Sequence, residues 1–277
     1  MMKLNILIST LNDGIEGIPA MLLSPRADVE YIVSMQYTDA SYLQRIPAVL
    51  QERSDVRVLT LEGRGLCRNR NNALRAANGD IALIADDDVR YKHEYFDRVI
   101  ATFKQNPEVD IAQFQLQNNT GTRRVPYPSH TYDYPHVPRG MYMSSIEMAL
   151  RLSTVKGVCY FDERFGLGAS HFVCGEEDVF MHDAMKKGLK HRYFPQVVVE
   201  HSGGGTGRRI YTDERVMMTK GAVHYHLFGA MAWVRMFKFA LIGALKYKAS
   251  FMTLLRATYK GIETYRKVVR YESPIGG

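Results

Sequence analysis

Residues 63–91 read GRGLCRNRNNALRAANGDIALIADDDVRY. Within this stretch Ile81–Ala85 (IALIA) is apolar at every position, the pattern of a strand covered on both faces in the centre of a parallel sheet. Ahead of it, Arg68–Asn78 reads as a helix that stops at the C-cap pair Asn78-Gly79. Behind it stand three consecutive acids, Asp86-Asp87-Asp88. Helix, glycine stop, apolar strand and polar strand end are the parts of a repeating strand–helix unit.

The same alternation runs outward from there. Leu4–Ser9 (LNILIS) is a short apolar strand ending in Thr10-Leu11-Asn12-Asp13-Gly14, and Val29–Ser34 (VEYIVS) is a second, ending in Met35-Gln36-Tyr37-Thr38-Asp39. Residues 41–53 have a helical pattern, and Val56–Leu61 (VRVLTL) is a third strand. Strands alternating with helices in this way predict an α/β class with a mainly parallel sheet and flanking helices. Farther along, residues 118–140 carry four prolines and no periodicity, and a long irregular stretch of this kind is usually functional or mobile. A helix opens on Gly175-Glu176-Glu177-Asp178 and runs to Lys187-Gly188. His191–Glu200 (HRYFPQVVVE) is a further strand, followed by His201 and the flexible run 202–207. From about Lys220 the chain is apolar, basic and helical in pattern.

At 277 residues the chain suits one large domain or two small ones, at ~100–200 residues each. Apolar residues at 46% and charged residues at 23% belong to an ordinary folded protein, which excludes a disordered tail, a collagen-like fibre or a coiled coil. Three cysteines, Cys67, Cys159 and Cys174, are too few and wrongly spaced for a disulfide framework or a structural zinc site, so a reducing compartment fits. The first residues lack the ~7–15 apolar positions of a secretory signal, and a cytoplasmic protein is expected. The net charge of +7 is unevenly distributed. Residues 1–207 hold 23 basic and 25 acidic side chains, whereas residues 208–277 hold 13 and 4. An anionic partner is therefore to be sought at the C-terminal quarter.

Four groups of residues could carry chemistry. Ligands of open parallel sheets bind at the carboxyl ends of the strands, where Asp86-Asp87-Asp88 falls; in extended backbone Asp86 and Asp88 would face the same side. Three acids there call for a neutralising charge, and a hard divalent cation holding a phosphate-bearing ligand supplies one. Gly63-Arg64-Gly65 with Arg68-Asn69-Arg70 forms a glycine turn before a basic helix start, which suits an anion, although a solvated helix face explains it equally. Glu176-Glu177-Asp178 could supply a general base or merely complement a helix dipole. His201, beside a strand end, could join a metal.

In this order the motifs resemble family 2 glycosyltransferases of the GT-A fold, the type that builds bacterial capsule or lipopolysaccharide glycans. Arg68-Asn69 opening a helix, Gly79-Asp80 leading into an apolar strand and Asp86-Asp87-Asp88 ending it resemble the donor half of that family. Thr10-Leu11-Asn12 resembles its nucleotide-contacting first turn, and residues 161–169 with GEEDVFMHDAMKKGLK (175–190) resemble the segment that carries the catalytic acid. The resemblance implies a sugar moved with inversion from a nucleotide diphosphate donor, with uridine diphosphate the family's habit, to a glycan or lipid-linked acceptor in cell-surface polysaccharide synthesis. It implies that Asp86 and Asp88 hold the ribose and a Mn²⁺ or Mg²⁺ ion, that His201 is a further metal ligand, and that Asp87, Arg64, Gly65, Arg68 and Asn69 belong to the donor site. Counting from Gly175 to Gly188 sets Glu177 at the catalytic position, with Glu176 and Asp178 as alternatives. Two departures stand out. The family's acid-rich turn after the second strand is replaced by SMQYTD (34–39), where Gln36 or Asp39 would have to serve the base, and the catalytic acid is Glu where Asp is commoner.

These readings divide the chain into a catalytic domain, 1–207, with a nucleotide-sugar half (1–117) and an acceptor half (118–207), and a helical region, 208–277. Drawn on one unbroken helix, Lys220, Arg235, Lys238, Lys246, Arg256, Lys260 and Lys267 share an arc of ~80°. Trp233, Met236, Phe237, Ala244, Phe251, Leu254 and Leu255 lie opposite. The longest charge-free stretch, 221–234, is below the ~18–20 residues of a spanning helix, so a peripheral helix or helix pair on the anionic inner face of the cytoplasmic membrane is expected, with Gly221, Gly229, Gly243 and Gly261 as points where one helix could break; a hairpin packed on the catalytic domain is the alternative. A sugar-phosphate nucleotidyltransferase would also want acids beside a strand, but residues 10–17 (TLNDGIEG) lack the basic glycine-rich loop such enzymes use. A non-catalytic carbohydrate- or membrane-binding module would leave both acidic groups without a common purpose. No nucleic-acid partner is expected, since the basic stripe is paired with a large apolar face.

Overall fold

The structure, a computed structural model, describes residues 1–123, 125–138, 141, 144–203 and 209–275. The chain forms two compact units. The first comprises Met1–Arg64, Asn69–Tyr160 and Asp183–Gly203; the second comprises Gly65–Arg68, Phe161–His182 and Gly204–Gly277. Part of the run 202–207 and the expected boundary at 207/208 fall on 204–208, outside the described residues.

The first unit is built on one mixed sheet. Its strands are β1 (Leu4–Leu11), β2 (Val29–Tyr37), β3 (Val56–Glu62), β4 (Ile81–Asp86), β5 (Ile111–Gln117), β6 (Tyr132–Asp133), β7 (Met148–Arg151) and β8 (His191–Glu200). They lie in the order β3-β2-β1-β4-β7-β5-β8-β6. β1 to β4 are mutually parallel and β5 runs parallel to β8, while β7 is antiparallel to both its neighbours and β6 antiparallel to β8. The central position expected for IALIA is observed: β4 lies between β1 and β7, and Ile81–Ala85 are fully buried. The helices are α1 (Ala48–Glu52), α2 (Leu66–Ala76), α3 (His93–Gln105), α4 (Leu152–Val155), α5 (Glu176–Lys186), α6 (Glu214–Phe228), α7 (Ala232–Tyr247) and α8 (Phe251–Tyr271). An α/β class with a mostly parallel sheet and a helical C-terminal region is what the sequence led us to expect.

Three local expectations need correction. The helix expected over 41–53 is interrupted: a 3₁₀ turn spans Ala40–Arg45, and α1 starts only after Pro47. Proline cannot donate to the preceding turn and pushes the residue before it out of helical geometry. Second, α2 runs from Leu66 to Ala76, two residues earlier at each end than Arg68–Asn78. Gly79 does not adopt the left-handed cap conformation; a Cβ there would meet the Lys3 carbonyl at 2.9 Å and Asn5 Oδ1 at 3.0 Å. Its glycine is required by close approach, because the buried Asn5 side chain accepts hydrogen bonds from the Asn78 and Gly79 amides. That pairing also explains how a polar side chain is tolerated within β1.

Third, the tail is three helices rather than one helix or a pair. Gly229, at φ 54 and ψ −132, ends α6, and Lys248 in the left-handed region ends α7. Asp213 caps α6 by accepting from the Arg215 and Val216 amides, and Ser250 caps α8 through the Thr253 amide. The seven-residue basic arc therefore does not lie on one surface; it is split among α6, α7 and α8. Of the apolar side, Met236 and Leu254 are buried, whereas Phe237 and Phe251 are exposed. α6 and α8 cross at small residues: a Cβ on Gly221 would fall 2.1 Å from the Thr258 carbonyl oxygen, and one on Gly261 1.8 Å from that of Met218. The stretch 214–247 is long and apolar enough to cross a membrane by length and composition, which the charge-free count missed. The break at Gly229 nonetheless leaves helices of 15 and 16 residues.

Candidate functional site

The sheet unit gathers most of the donor-site candidates at the carboxyl ends of β1, β2, β4 and β8. Parallel register sets Leu11 opposite Gln36 and Ser9 opposite both Ser34 and Asp86. β4 ends at Asp86, and Asp87 and Asp88 lie in the turn that follows, so the extended alternation expected of Asp86 and Asp88 does not hold. Instead each acid has a different partner. Asp86 Oδ1 accepts from the Arg70 guanidinium at 2.8 Å, a side chain that is itself buried. Asp87 Oδ2 accepts from the Thr10 hydroxyl at 2.6 Å. Asp88 Oδ2 lies 3.0 Å from His201 Nε2.

These environments pull the neighbouring acids apart. Burial pushes the Asp87 carboxyl up, against the hydrogen bond from Thr10, with the charges of Asp88 and Asp86 adding to the rise. The hydrogen bond from His201 holds Asp88 below the usual carboxylate range. His201 is brought there by a two-way backbone bridge between Arg90 and Glu200, the residue before it. Glu200 in turn accepts from Lys92, Tyr95 and Gln117, which anchors the end of β8.

Asn12 stands at φ 54, a conformation Asn tolerates better than most residues. Its Oδ1 accepts from the Thr38 amide at 2.9 Å, tying the β1 turn to the turn after β2. Gly14 is required here by proximity, since a Cβ would sit 2.4 Å from Asp87 Oδ2. Asp39, the alternative to Gln36, caps the 3₁₀ turn through the Ser41 amide. Asn69 donates to the Thr10 carbonyl at 2.9 Å. Three buried polar atoms in this region, Ser9 Oγ, Gln36 Nε2 and Asn69 Oδ1, have no hydrogen-bond partner among the described residues. Buried polar groups are normally paired, so these three atoms are available to a polar ligand. Arg64 and Arg68 are exposed, and Gly65 has φ 129. Arg70 was visible in the sequence only as one more base in a basic run. Burial on the inner face of α2 distinguishes it, and only the helix period could have suggested that.

The acidic helix start lies in the second unit. Gly175, at φ 82, leads into α5, and Glu176 and Glu177 are buried in the first turn. Gly166 approaches this turn closely: a Cβ there would meet Cys67 Sγ at 3.2 Å and the Glu176 carboxyl carbon at 3.5 Å. The segment before it is fixed by the buried pair Arg164–Asp162 at 2.6 Å and by stacked Phe165 and Phe172. Burial, with the Glu176 and Glu177 charges adding, pushes the Cys174 thiol up to about 12, away from the thiolate form that reactive cysteines use. Carboxylates in the first turn of a helix complement its dipole, and the same position suits proton transfer.

Comparison with known proteins follows the same outline. The family pattern described as "Glycosyl transferase family 2" matches residues 9–165. Among solved structures, the chain resembles the crystal structure of S. aureus TarS 1-349 with a TM-score of 0.58 at 16% identity, over 97% of this chain and 91% of that one. The same protein in complex with UDP-GlcNAc gives a TM-score of 0.57 at 17% identity (97% and 92%), and in complex with UDP 0.55 at 19% (97% and 91%). At these identities the likeness shows a shared GT-A-like fold. No curated protein matches the chain.

Proposed function

Because the chain belongs to glycosyltransferase family 2, we propose that it transfers a sugar, with inversion at the anomeric carbon, from a nucleotide diphosphate donor to a glycan or lipid-linked acceptor of cell-surface polysaccharide synthesis. The observation that carries the reading is the cluster of Thr10, Arg70, Asp86, Asp87, Asp88 and His201 at the strand ends of the sheet unit. Uridine diphosphate is the proposed carrier, supported by the UDP and UDP-GlcNAc held by the TarS structures.

The Asp88 carboxylate and the His201 imidazole, with oxygen and nitrogen converging to 3.0 Å, are a donor pair that fits Mn²⁺ or Mg²⁺, with Asp86 as the further candidate ligand. When bound, such an ion offsets the charge of a departing diphosphate. Arg70 and Thr10 hold Asp86 and Asp87 against their mutual repulsion, so the acids stay oriented. Thr10, Leu11, Asn12 and Gln36 face the nucleoside, the Gln36 amide being the group for the base. Arg64, Gly65, Arg68 and Asn69 serve the diphosphate side of residues 1–117. Residues 118–207 form the acceptor half, and Glu177 removes the proton of the acceptor hydroxyl as it attacks, with Glu176 and Asp178 as the neighbouring candidates. The region 208–277 attaches the enzyme to the anionic inner face of the cytoplasmic membrane, close to a lipid-linked acceptor.

Calorimetric titration of UDP, GDP and dTDP, with and without Mn²⁺, into the wild type and Asp88→Asn tests the donor site. The expected result is Mn²⁺-dependent binding of UDP that the variant loses. Absence of binding by any nucleotide under both conditions overturns the transferase reading and favours a binding module.

A further inference from the structure

α7 carries a surface that folding leaves open. Val234, Phe237, Leu241 and Leu245 follow one another at i, i+3, i+7 and i+11, which lines them along one face of a helix, and all four are more than half exposed. The inner face of the same helix is spent on the unit's core through Met236, Phe239 and Ala240. An apolar stripe that remains outside after the inner face is packed is not what solvent selects.

The charges say what covers it. Arg235, Lys238 and Lys246 border the stripe on one side, and the Arg235 guanidinium rests 3.5 Å over the Phe228 ring. From residue 215 to residue 262 there is no Asp or Glu, against eight Lys and Arg. A protein partner matched to a purely cationic border would need an acidic rim around an apolar centre; an anionic bilayer offers both, over any area. α8 keeps the same sign outward. Leu254, Ala257, Ile262 and Val268 are buried within the unit, while Arg256, Lys260 and Lys267 are exposed along with Met252 and Tyr259. α7 is about 24 Å long at ~1.5 Å per residue, short of the ~30 Å hydrocarbon core, and Gly229 separates it from α6. An in-plane helix therefore fits better than a spanning one.

We propose that α7 is an in-plane insertion helix, its Val234–Phe237–Leu241–Leu245 stripe entering an anionic phospholipid bilayer at headgroup depth while Arg235, Lys238 and Lys246 bind the lipid phosphates. The proposal deepens the membrane part of the proposed function and rests on it, but it does not depend on the nucleotide site. It makes α7, and not the tail as a whole, the membrane element, with α8 an electrostatic supplement.

The test uses the full chain with sedimented vesicles of phosphatidylcholine alone or mixed with phosphatidylglycerol. The single tryptophan, Trp233, reports insertion by a blue shift, and brominated lipids report its depth. The wild type should bind the mixed vesicles with shallow quenching. Lys238→Gln with Lys246→Gln should weaken that binding roughly 30-fold, at about a tenfold step per 1.4 kcal/mol and ~1 kcal/mol per charge. Leu241→Ser with Leu245→Ser should weaken it by at least about 100-fold with the thermal midpoint unchanged. Equal binding to neutral vesicles, quenching deepest at the bilayer centre, or no effect of the leucine pair overturns the proposal. So does a concentration-dependent dimer that the leucine pair abolishes, since the stripe would then belong to a second copy. UDP titration of the same samples separates the two ideas: vesicle binding lost with UDP binding kept overturns only the insertion helix, and the reverse overturns only the donor site.

Discussion

The sheet unit and the helical unit bury opposite things. In the first, Asn5, Ser34, Gln36, Asn69, Arg70 and Asn71 are nearly or wholly removed from solvent; in the second, Val234, Phe237, Leu241 and Leu245 remain in it. Both choices cost free energy unless something offsets them. For Asn5 and Arg70 the offset is visible as hydrogen bonds within the fold. For Gln36 Nε2 and for the α7 stripe no partner is present among the described residues. The lesson is that an interior polar group and an exterior apolar one point to a ligand by the same reasoning, a small polar one in the first case and an extended apolar one in the second.

The largest expected effect comes from separating binding from turnover across the two units. Glu177→Gln, in the helical unit, should lower kcat by ~10²–10⁴-fold while Mn²⁺-dependent UDP binding stays at the wild-type level. Asp88→Asn, in the sheet unit, should do the reverse at the binding step. Calorimetry and initial rates with a UDP-sugar check both. If Glu177→Gln turns over normally and Glu176→Gln or Asp178→Asn does not, the base is the neighbour.

Acid should act on both units through one histidine in each, His191 buried and His224 partly buried. Burial lowers His191 on β8, and partial burial with the Lys220 and Arg235 charges adding lowers His224 on α6, each to about 3 from an ordinary 6.5. A depressed histidine contributes stability that is complete above the unfolded value and is lost as the pH falls from about 6.5 towards 3, because the unfolded chain takes up the proton first. Between pH 7 and pH 5 each should cost about 2 kcal/mol, read by urea unfolding. His191→Phe should flatten the sheet unit's pH dependence and His224→Phe that of the helices. One common transition flattened by both variants would mean that the units unfold together.

A loss of similar size, confined to one unit, is expected at the α6–α8 crossing. Gly261→Ala forces a methyl against the Met218 carbonyl and should destabilise the helical unit by about 1–3 kcal/mol without changing UDP affinity.

How much of this was legible in the sequence follows from where each signal resides. The strand ending in Asp86 was readable because a fully apolar run bounded by a glycine step and acids has few alternatives, and the strand His191–Glu200 appears with the bounds expected of it. β6, by contrast, is two residues long and exists only by pairing with β8, a tertiary event with no local pattern. The separate partners of Asp86, Asp87 and Asp88 were not legible either, since they depend on where β4 stops and on the Arg90–Glu200 bridge that sets His201 in reach. In the tail, composition gave the basic and apolar character correctly, but the helical wheel assumed continuity. Gly229 and Lys248 break it, and only then does it become clear that α7 carries its own exposed apolar stripe, Val234 to Leu245.

The smallest effect sharpens the comparison most. Leu245 is 76% exposed, so Leu245→Ser removes almost no burial from the folded chain and should change the unfolding free energy by no more than ~0.5 kcal/mol. The same substitution in a core position would cost several times that, because a cavity and an unpaired hydroxyl would be added to the lost burial. A measured loss near 2 kcal/mol would show that the stripe is already covered in solution, by another copy or by the chain itself, and the contrast between the two units would dissolve. A neutral result leaves Leu245 a side chain whose reason for being apolar lies outside the fold, as the reason for the Gln36 amide does.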